Sequence, residues 1–229
     1  NVRDVPETSV FLVVEGAENY EITLNGQPVS NERVGWYLDR SFDKVALPAL
    51  EAGTNTLTLA CEYENRMEVE DCFVLGDFGV DVNRAIVREP ETLHFGDWTL
   101  QGYLHYAGSM VYTDTLTYEP GETLVLTLGE VSAVDVALHV NGEVVGHIPW
   151  RDANNFDLSP HLGAGENEIG IEVVSSPRNM LGPLHRKAGY EAWTDSRSFR
   201  REGEASTPDY VVWPWGLFGQ VRIQREARS

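Results

Sequence analysis

Two Asn-Gly pairs, each set between alternating apolar residues, constrain this chain more than any other feature. Asn25 and Gly26 stand between Tyr20, Ile22, Leu24 and the residues Gln27, Pro28, Val29, while Asn141 and Gly142 stand between Val136, Leu138, Val140 and Glu143, Val144, Val145. Both residue types tolerate the positive φ of a type I′ turn, whose twist matches that of paired strands, so each site predicts a β-hairpin. Each hairpin is followed by the same string. Phe42, Asp43, Pro48, Leu50, Ala52, Gly53, Asn55, Leu57 and Leu59 match Phe156, Asp157, Pro160, Leu162, Ala164, Gly165, Asn167, Ile169 and Ile171 in order. Asn141 lies 116 residues after Asn25 and Gly165 lies 112 after Gly53, so the copies drift by four residues over this stretch. A third match, Phe78-Gly79 with Phe218-Gly219 at an offset of 140, is expected to precede the last strand of each copy, with an insertion in the second. Unrelated sandwich domains also share hairpins and glycine turns, but an ordered triple match favours internal duplication.

The Leu-x-Ala-Gly-x-Asn string reverses the chain, and the alternation after it predicts that Leu57, Leu59 and Cys61, or Ile169, Ile171 and Val173, line one buried face. Helical periodicity of useful length is absent, and short strands between turn signals predict an all-β sandwich or barrel. The expected units are residues 1–87 and 88–229, divided at the polar stretch 84–91. They are unequal. The second has a leading segment, residues 93–128, with Trp98, Tyr103, Tyr106, Tyr112 and the alternating Thr115 and Thr117. The first begins about ten residues before its hairpin region and is expected to lack strands that its sibling has, and either to borrow a strand or to come from a longer protein.

Charge narrows the partners. Lys and Arg number 17 against 36 Asp and Glu, a formal net charge of −19. A field of this sign opposes nucleic acid and anionic lipid, so neither is expected, and neutral ligands are favoured by elimination. The apolar run from Val10 to Val14 is too short to span a bilayer or to form a signal-peptide core. The two cysteines, Cys61 and Cys72, allow either a disulfide between adjacent segments or two buried thiols.

Four strings carry a family resemblance: GDWTLQGYLHYAGSMVYTDTL over residues 96–116, VALHVNGEVVG over 136–146, FDLSPHLGAGENEIGIEV over 156–173 and GLFGQVRI over 216–223. They resemble the galactose-binding-like jelly-roll domains that accompany bacterial glycoside hydrolases, such as the family 2 sugar-binding domain and the terminal domains of α-L-rhamnosidase-like enzymes. The resemblance covers most of the second half and, more weakly, residues 9–82. It implies two tandem jelly-roll β-sandwich units, a bacterial polysaccharide-degrading setting outside the cytoplasm, extracellular or periplasmic, and frequently a structural calcium ion. Because a fold does not fix a function, it leaves open whether this chain binds sugar or braces a catalytic domain.

Sugar rings present an apolar CH face that Trp or Tyr can stack against, with hydroxyls fixed by Asp, Asn, Arg or Gln. The loop after each hairpin supplies such a set: Trp36, Tyr37 and Arg40, with Arg33 and Asp39, in the first copy, and Trp150, Arg151, Asp152 and Asn154 in the second. The alternative at each position is a Trp that caps the core. A second candidate is the long connection of residues 175–215, expected to be functional or to pack against another domain, which holds Asn179, His185, Arg186, Trp193, Arg200, Arg201, Trp213 and Trp215, together with the string RNMLGPLH over 178–185. Serine-nucleophile elbow, phosphate-loop, HExxH and paired CxxC patterns are all missing, so no catalytic residue is assigned. No cofactor is expected beyond the calcium, for which sequence marks no ligands. The leading expectation is a non-catalytic module of a larger glycoside hydrolase, with a polysaccharide or oligosaccharide and the parent catalytic domain as partners. The competing classes are a bracing domain that binds no glycan and, third, a small enzyme with an unrecognised site.

Overall fold

Both Asn-Gly pairs form the turns their chemistry predicts, with φ of 52° at Asn25 and Asn141 and of 78° and 83° at Gly26 and Gly142. The computed structural model describes residues 1–65, 67, 69, 71–148, 154–190 and 194–227. Its contacts divide the chain into two units, Asn1–Thr92 with Gly102–Leu104, and Leu93–Gln101 with His105–Ser229.

Unit one contains β1 (Val10–Glu15), β2 (Glu21–Leu24), β3 (Gln27–Val29), β4 (Arg33–Tyr37), β5 (Asp39–Leu47), β6 (Leu57–Ala60), β7 (Phe73–Leu75), β8 (Gly79–Val80) and β9 (Ile86–Val87). One sheet runs β4-β5-β1-β7, a second runs β3-β2-β6, and β8 pairs β9. The first two face each other across Leu12, Val14, Val45 and Ile22, with Leu57 and Leu59 packed at the margin. Burying these side chains supplies the main driving force for the unit, roughly 1.5–3 kcal/mol for each large aliphatic residue removed from water.

Unit two contains β10 (Ser109–Tyr118), β11 (Glu122–Leu128), β12 (Val131–Ser132), β13 (Asp135–Val140), β14 (Glu143–His147), β15 (Asn155–Asp157), β16 (Gly165–Val174), β17 (Gly216–Leu217) and β18 (Val221–Ala227). Its sheets run β10-β16-β13-β14 and β15-β11-β18, with β12 paired to β17. Leu124, Leu126 and Leu128 of β11 are buried at every second position, as are Ile169, Ile171 and Val173 of β16, the period that puts one strand face in a core.

The two units repeat one topology. In each, the hairpin pairs with the strand that follows the Leu-x-Ala-Gly-x-Asn string, with Ile22 opposite Leu59 and Leu138 opposite Ile171. In each, a strand that precedes the hairpin sits between two that follow it, so that β1 lies between β5 and β7 and β11 lies between β15 and β18. A hydrogen-bond network is duplicated with it. Asn25 Oδ1 accepts from Thr56 N and its Nδ2 donates to Asn55 Oδ1, while Asn141 does the same with Glu168 N and Asn167 Oδ1. Asn55 in turn bridges the N–H and carbonyl of Glu51, and Asn167 those of Gly163. The repeated asparagines therefore close the hairpin end of each sheet by satisfying backbone groups that a turn leaves open.

Three expectations are corrected. The third sequence match is not a match in the fold: Gly79 begins β8, which pairs with β9, whereas the strand after Gly219 is β18, which pairs with β11. The structural counterpart of β18 is β7, whose three residues are too short to leave a pattern. Cys61 lies beyond the end of β6 and is exposed, so it does not continue the inward face of Leu57 and Leu59. Cys61 and Cys72 are both free and both exposed, neither disulfide-bonded nor buried. Unit one also has an edge strand, β4, with no counterpart among the described residues of unit two, and unit two has β10 where β6 stands at an edge.

Candidate functional site

The first predicted set lies on a hairpin, not in a loop. β4 pairs antiparallel with β5 around Leu38, which takes a φ of 63°, and Tyr37 faces Asp39 across that turn. No local signal announces this turn, because a leucine in the left-handed region carries none of the usual Gly, Asn or Asp marks. Trp36 sits in β4, Tyr37 at the turn and Arg40 at the start of β5.

The hairpin is fastened from beneath. Asp43, opposite Trp36 in the register, is buried, and its Oδ2 accepts from the Ala17 N–H at 3.1 Å. Its Oδ1 pairs with Arg33 Nε at 3.1 Å. The same guanidinium donates to the carbonyls of Gly35 and Arg40 at 3.1 and 3.3 Å, tying the two strands together across the turn. Asp39 accepts from the N–H and hydroxyl of Ser41, and these bonds, the backbone one first, hold its carboxyl below the usual range. Arg33 and Asp39 are thus committed to the scaffold, while Tyr37 is half-buried and Arg40 is exposed.

Trp36 is not a core cap. Its residue surface is 52% exposed on an edge strand, and Val34, two positions earlier, is exposed as well. With exposed Leu38 they form an apolar strip on an edge that proteins ordinarily blunt with charge. The arrangement offers a flat aromatic face on a braced hairpin, with a cation close by in sequence. Flat faces of this kind accept the CH side of a ring and require no enclosing pocket.

In the second predicted set, Trp150, Arg151 and Asp152 lie outside the described residues, as does Trp193. Asn154 is described: it is half-buried directly before β15, and its carbonyl accepts from Leu128 N at 2.8 Å. It serves the strand pairing through its backbone.

The long connection of unit two holds a second arrangement that the sequence marked only by its aromatic and cationic density. The string RNMLGPLH opens with one turn of α-helix, Arg178–Leu181. Asn179 is fully buried, and its side chain grips the Trp213 backbone in both directions, accepting from its N–H at 2.7 Å and donating to its carbonyl at 2.8 Å. A Cβ on Gly182 would run into the Arg178 carbonyl and side chain, so that position excludes any larger residue. His185 meets the edge of Tyr210, as does His105, whose Nδ1 lies 2.8 Å from the Asn179 carbonyl. The partner of Asn179 is 34 residues away, which is why no local pattern announces it.

The described residues contain no group of three or more His, Cys, Asp or Glu arranged to hold a metal, and no helix among them is long and apolar enough to cross a membrane. No family model and no curated protein matches the chain. Among solved structures it is similar to a rhamnosidase from Novosphingobium sp. PP1Y, at 18% identity and a TM-score of 0.39, over 91% of this chain and 21% of that one. The chain thus spans about a fifth of the length of the structure it matches.

Proposed function

We propose that this chain is a non-catalytic carbohydrate-binding module of a larger bacterial glycoside hydrolase acting outside the cytoplasm, and that it binds a neutral polysaccharide or oligosaccharide on the β4–β5 hairpin. The observation that carries this reading is the exposure of Trp36 on a hairpin braced by Arg33 and Asp43. Trp36 stacks on the ring face, and Arg40 and the Tyr37 hydroxyl fix ring oxygens. The acidic surface disfavours polyanionic glycans and leaves neutral ones. A braced platform loses little side-chain freedom on binding, so more of the stacking energy appears as affinity.

The test is retardation in native gels cast with neutral polysaccharides: galactan, xylan, β-glucan and mannan. At least one slows the wild-type chain and not Trp36→Ala. Equal mobility of both proteins in every gel overturns the reading. It would favour the second use the same strip allows, an apolar contact that braces the chain against a catalytic domain.

A further inference from the structure

Unit two contains a concavity of about 240 Å³ lined by Ser176, Arg178, Thr194, Trp213 and Trp215. Its aromatic wall is rigid because the backbone of three successive residues is pinned. Asn179 holds Trp213, the Ser132 hydroxyl donates to the Pro214 carbonyl at 2.7 Å, and the Trp215 carbonyl accepts from Trp98 N at 2.9 Å. The Trp215 N–H in turn donates to Asp97 Oδ1 at 3.3 Å. The two indoles stand 6.4 Å apart at 45°, Trp213 with 42% of its surface exposed and Trp215 with 5%.

The Nε1 of Trp215 is buried, so Trp215 backs the wall and Trp213 supplies its exposed aromatic face. The surrounding chemistry is that of a hydroxylated ring: an exposed indole face to stack on, two hydroxyl side chains and a guanidinium stem. A volume of about 240 Å³ falls below the roughly 300–1,000 Å³ of sites that enclose drug-sized molecules, and so suits one ring and not a chain. Charge agrees, since residues 175–215 carry six Arg or Lys against five Asp or Glu within a chain of net charge −19.

We infer that this concavity is a second glycan site, distinct from the Trp36 hairpin, that receives a single sugar ring or the end of a chain. Trp213 stacks on the ring, and Ser176, Thr194 and Arg178 supply polar groups for its hydroxyls. The inference shares a ligand class with the proposed function but depends on none of its residues. The experiment is titration of the ¹⁵N-labelled chain with methyl glycosides of galactose, glucose, mannose and rhamnose, following the indole N–H resonances. Trp215→Phe assigns the Trp215 signal, which reports from the concavity's lining, while keeping a ring. At least one glycoside shifts the Trp215 resonance saturably, Trp213→Ala weakens that binding about tenfold or more, and Trp36→Ala leaves it unchanged. No shift of the Trp215 resonance with any of the four overturns the inference, and so does loss of the shift in Trp36→Ala. Loss of polysaccharide retardation in Trp36→Ala, with the Trp215 shift intact, separates the fates of the two sites.

Discussion

Replacing the buried asparagine of the repeated network tests the duplication and its energetics together. Asn167 is 1% exposed and makes four hydrogen bonds, from Gly163 N and Asn141 Nδ2 to its Oδ1 at 3.0 Å each, and from its Nδ2 to the carbonyls of Gly163 and Gly165 at 2.7 and 3.0 Å. Each such bond contributes about 0.5–1.5 kcal/mol net, and removing one side leaves buried backbone groups unpaired. Allowing for non-additivity, Asn167→Ala is expected to cost about 3 kcal/mol. Asn55 holds the equivalent bonds in unit one, but it is only half-buried, its contact with the Gly53 carbonyl is long at 3.4 Å, and water can replace what is lost. Asn55→Ala is therefore expected to cost about 1 kcal/mol. With a urea dependence of about 2 kcal/mol per molar, the larger loss moves the midpoint of unit two by about 1.5 M. Urea titration read by amide exchange at Glu168 in unit two and Thr56 in unit one, the residues whose N–H groups face Asn141 and Asn25, separates the units. Equal losses in the two variants, or a larger one for Asn55→Ala, would refute the claim that burial sets the value of this network.

Three further outcomes are expected. Asn179→Ala releases the Trp213 backbone from a fully buried partner, so it destabilises unit two by about 2–3 kcal/mol and quickens amide exchange at Trp213; unchanged exchange there removes its anchoring role. The Glu172 carboxyl is held below its usual range first by the Ser109 hydroxyl and then by His139, 2.8 Å away. A depressed carboxylate stabilises the fold above its unfolded pKa and loses that contribution as pH falls through the folded one, so Glu172→Gln should flatten the acid side of the stability–pH curve; an identical acid limb contradicts this. Both Cys61 and Cys72 are free and exposed, so both should alkylate in the native protein without reductant, and a requirement for prior reduction would show a disulfide instead.

What was legible in the sequence followed local rules. Asn25-Gly26 and Asn141-Gly142 announced their turns because a positive φ restricts the residues that can sit there, and the Ala-Gly turns announced the strands that return to the hairpins. The pairing of Asn25 with Asn55 and of Asn141 with Asn167 joins residues that the repeat had marked without saying why. The sequence marks Trp36 as an exposed-aromatic candidate but predicts a loop around it, because Leu38 gives no turn signal. The false match at Phe78-Gly79 arose because two residues carry too little pattern to fix a strand partner. Trp213 and Trp215 were visible only as composition. Their fixed geometry depends on Asn179, Ser132, Asp97 and Trp98, which chain distance separates from them and folding brings together.

The most direct measurement is calorimetric titration of the intact chain and of Trp36→Ala with the neutral polysaccharide that retards the wild-type protein most. Stacking of one ring on an exposed indole contributes about 1–2 kcal/mol, so the account predicts a Kd raised about tenfold in the variant, with no change in the unfolding midpoint because Trp36 lies outside the core. A Kd unchanged by the loss of the indole would contradict it.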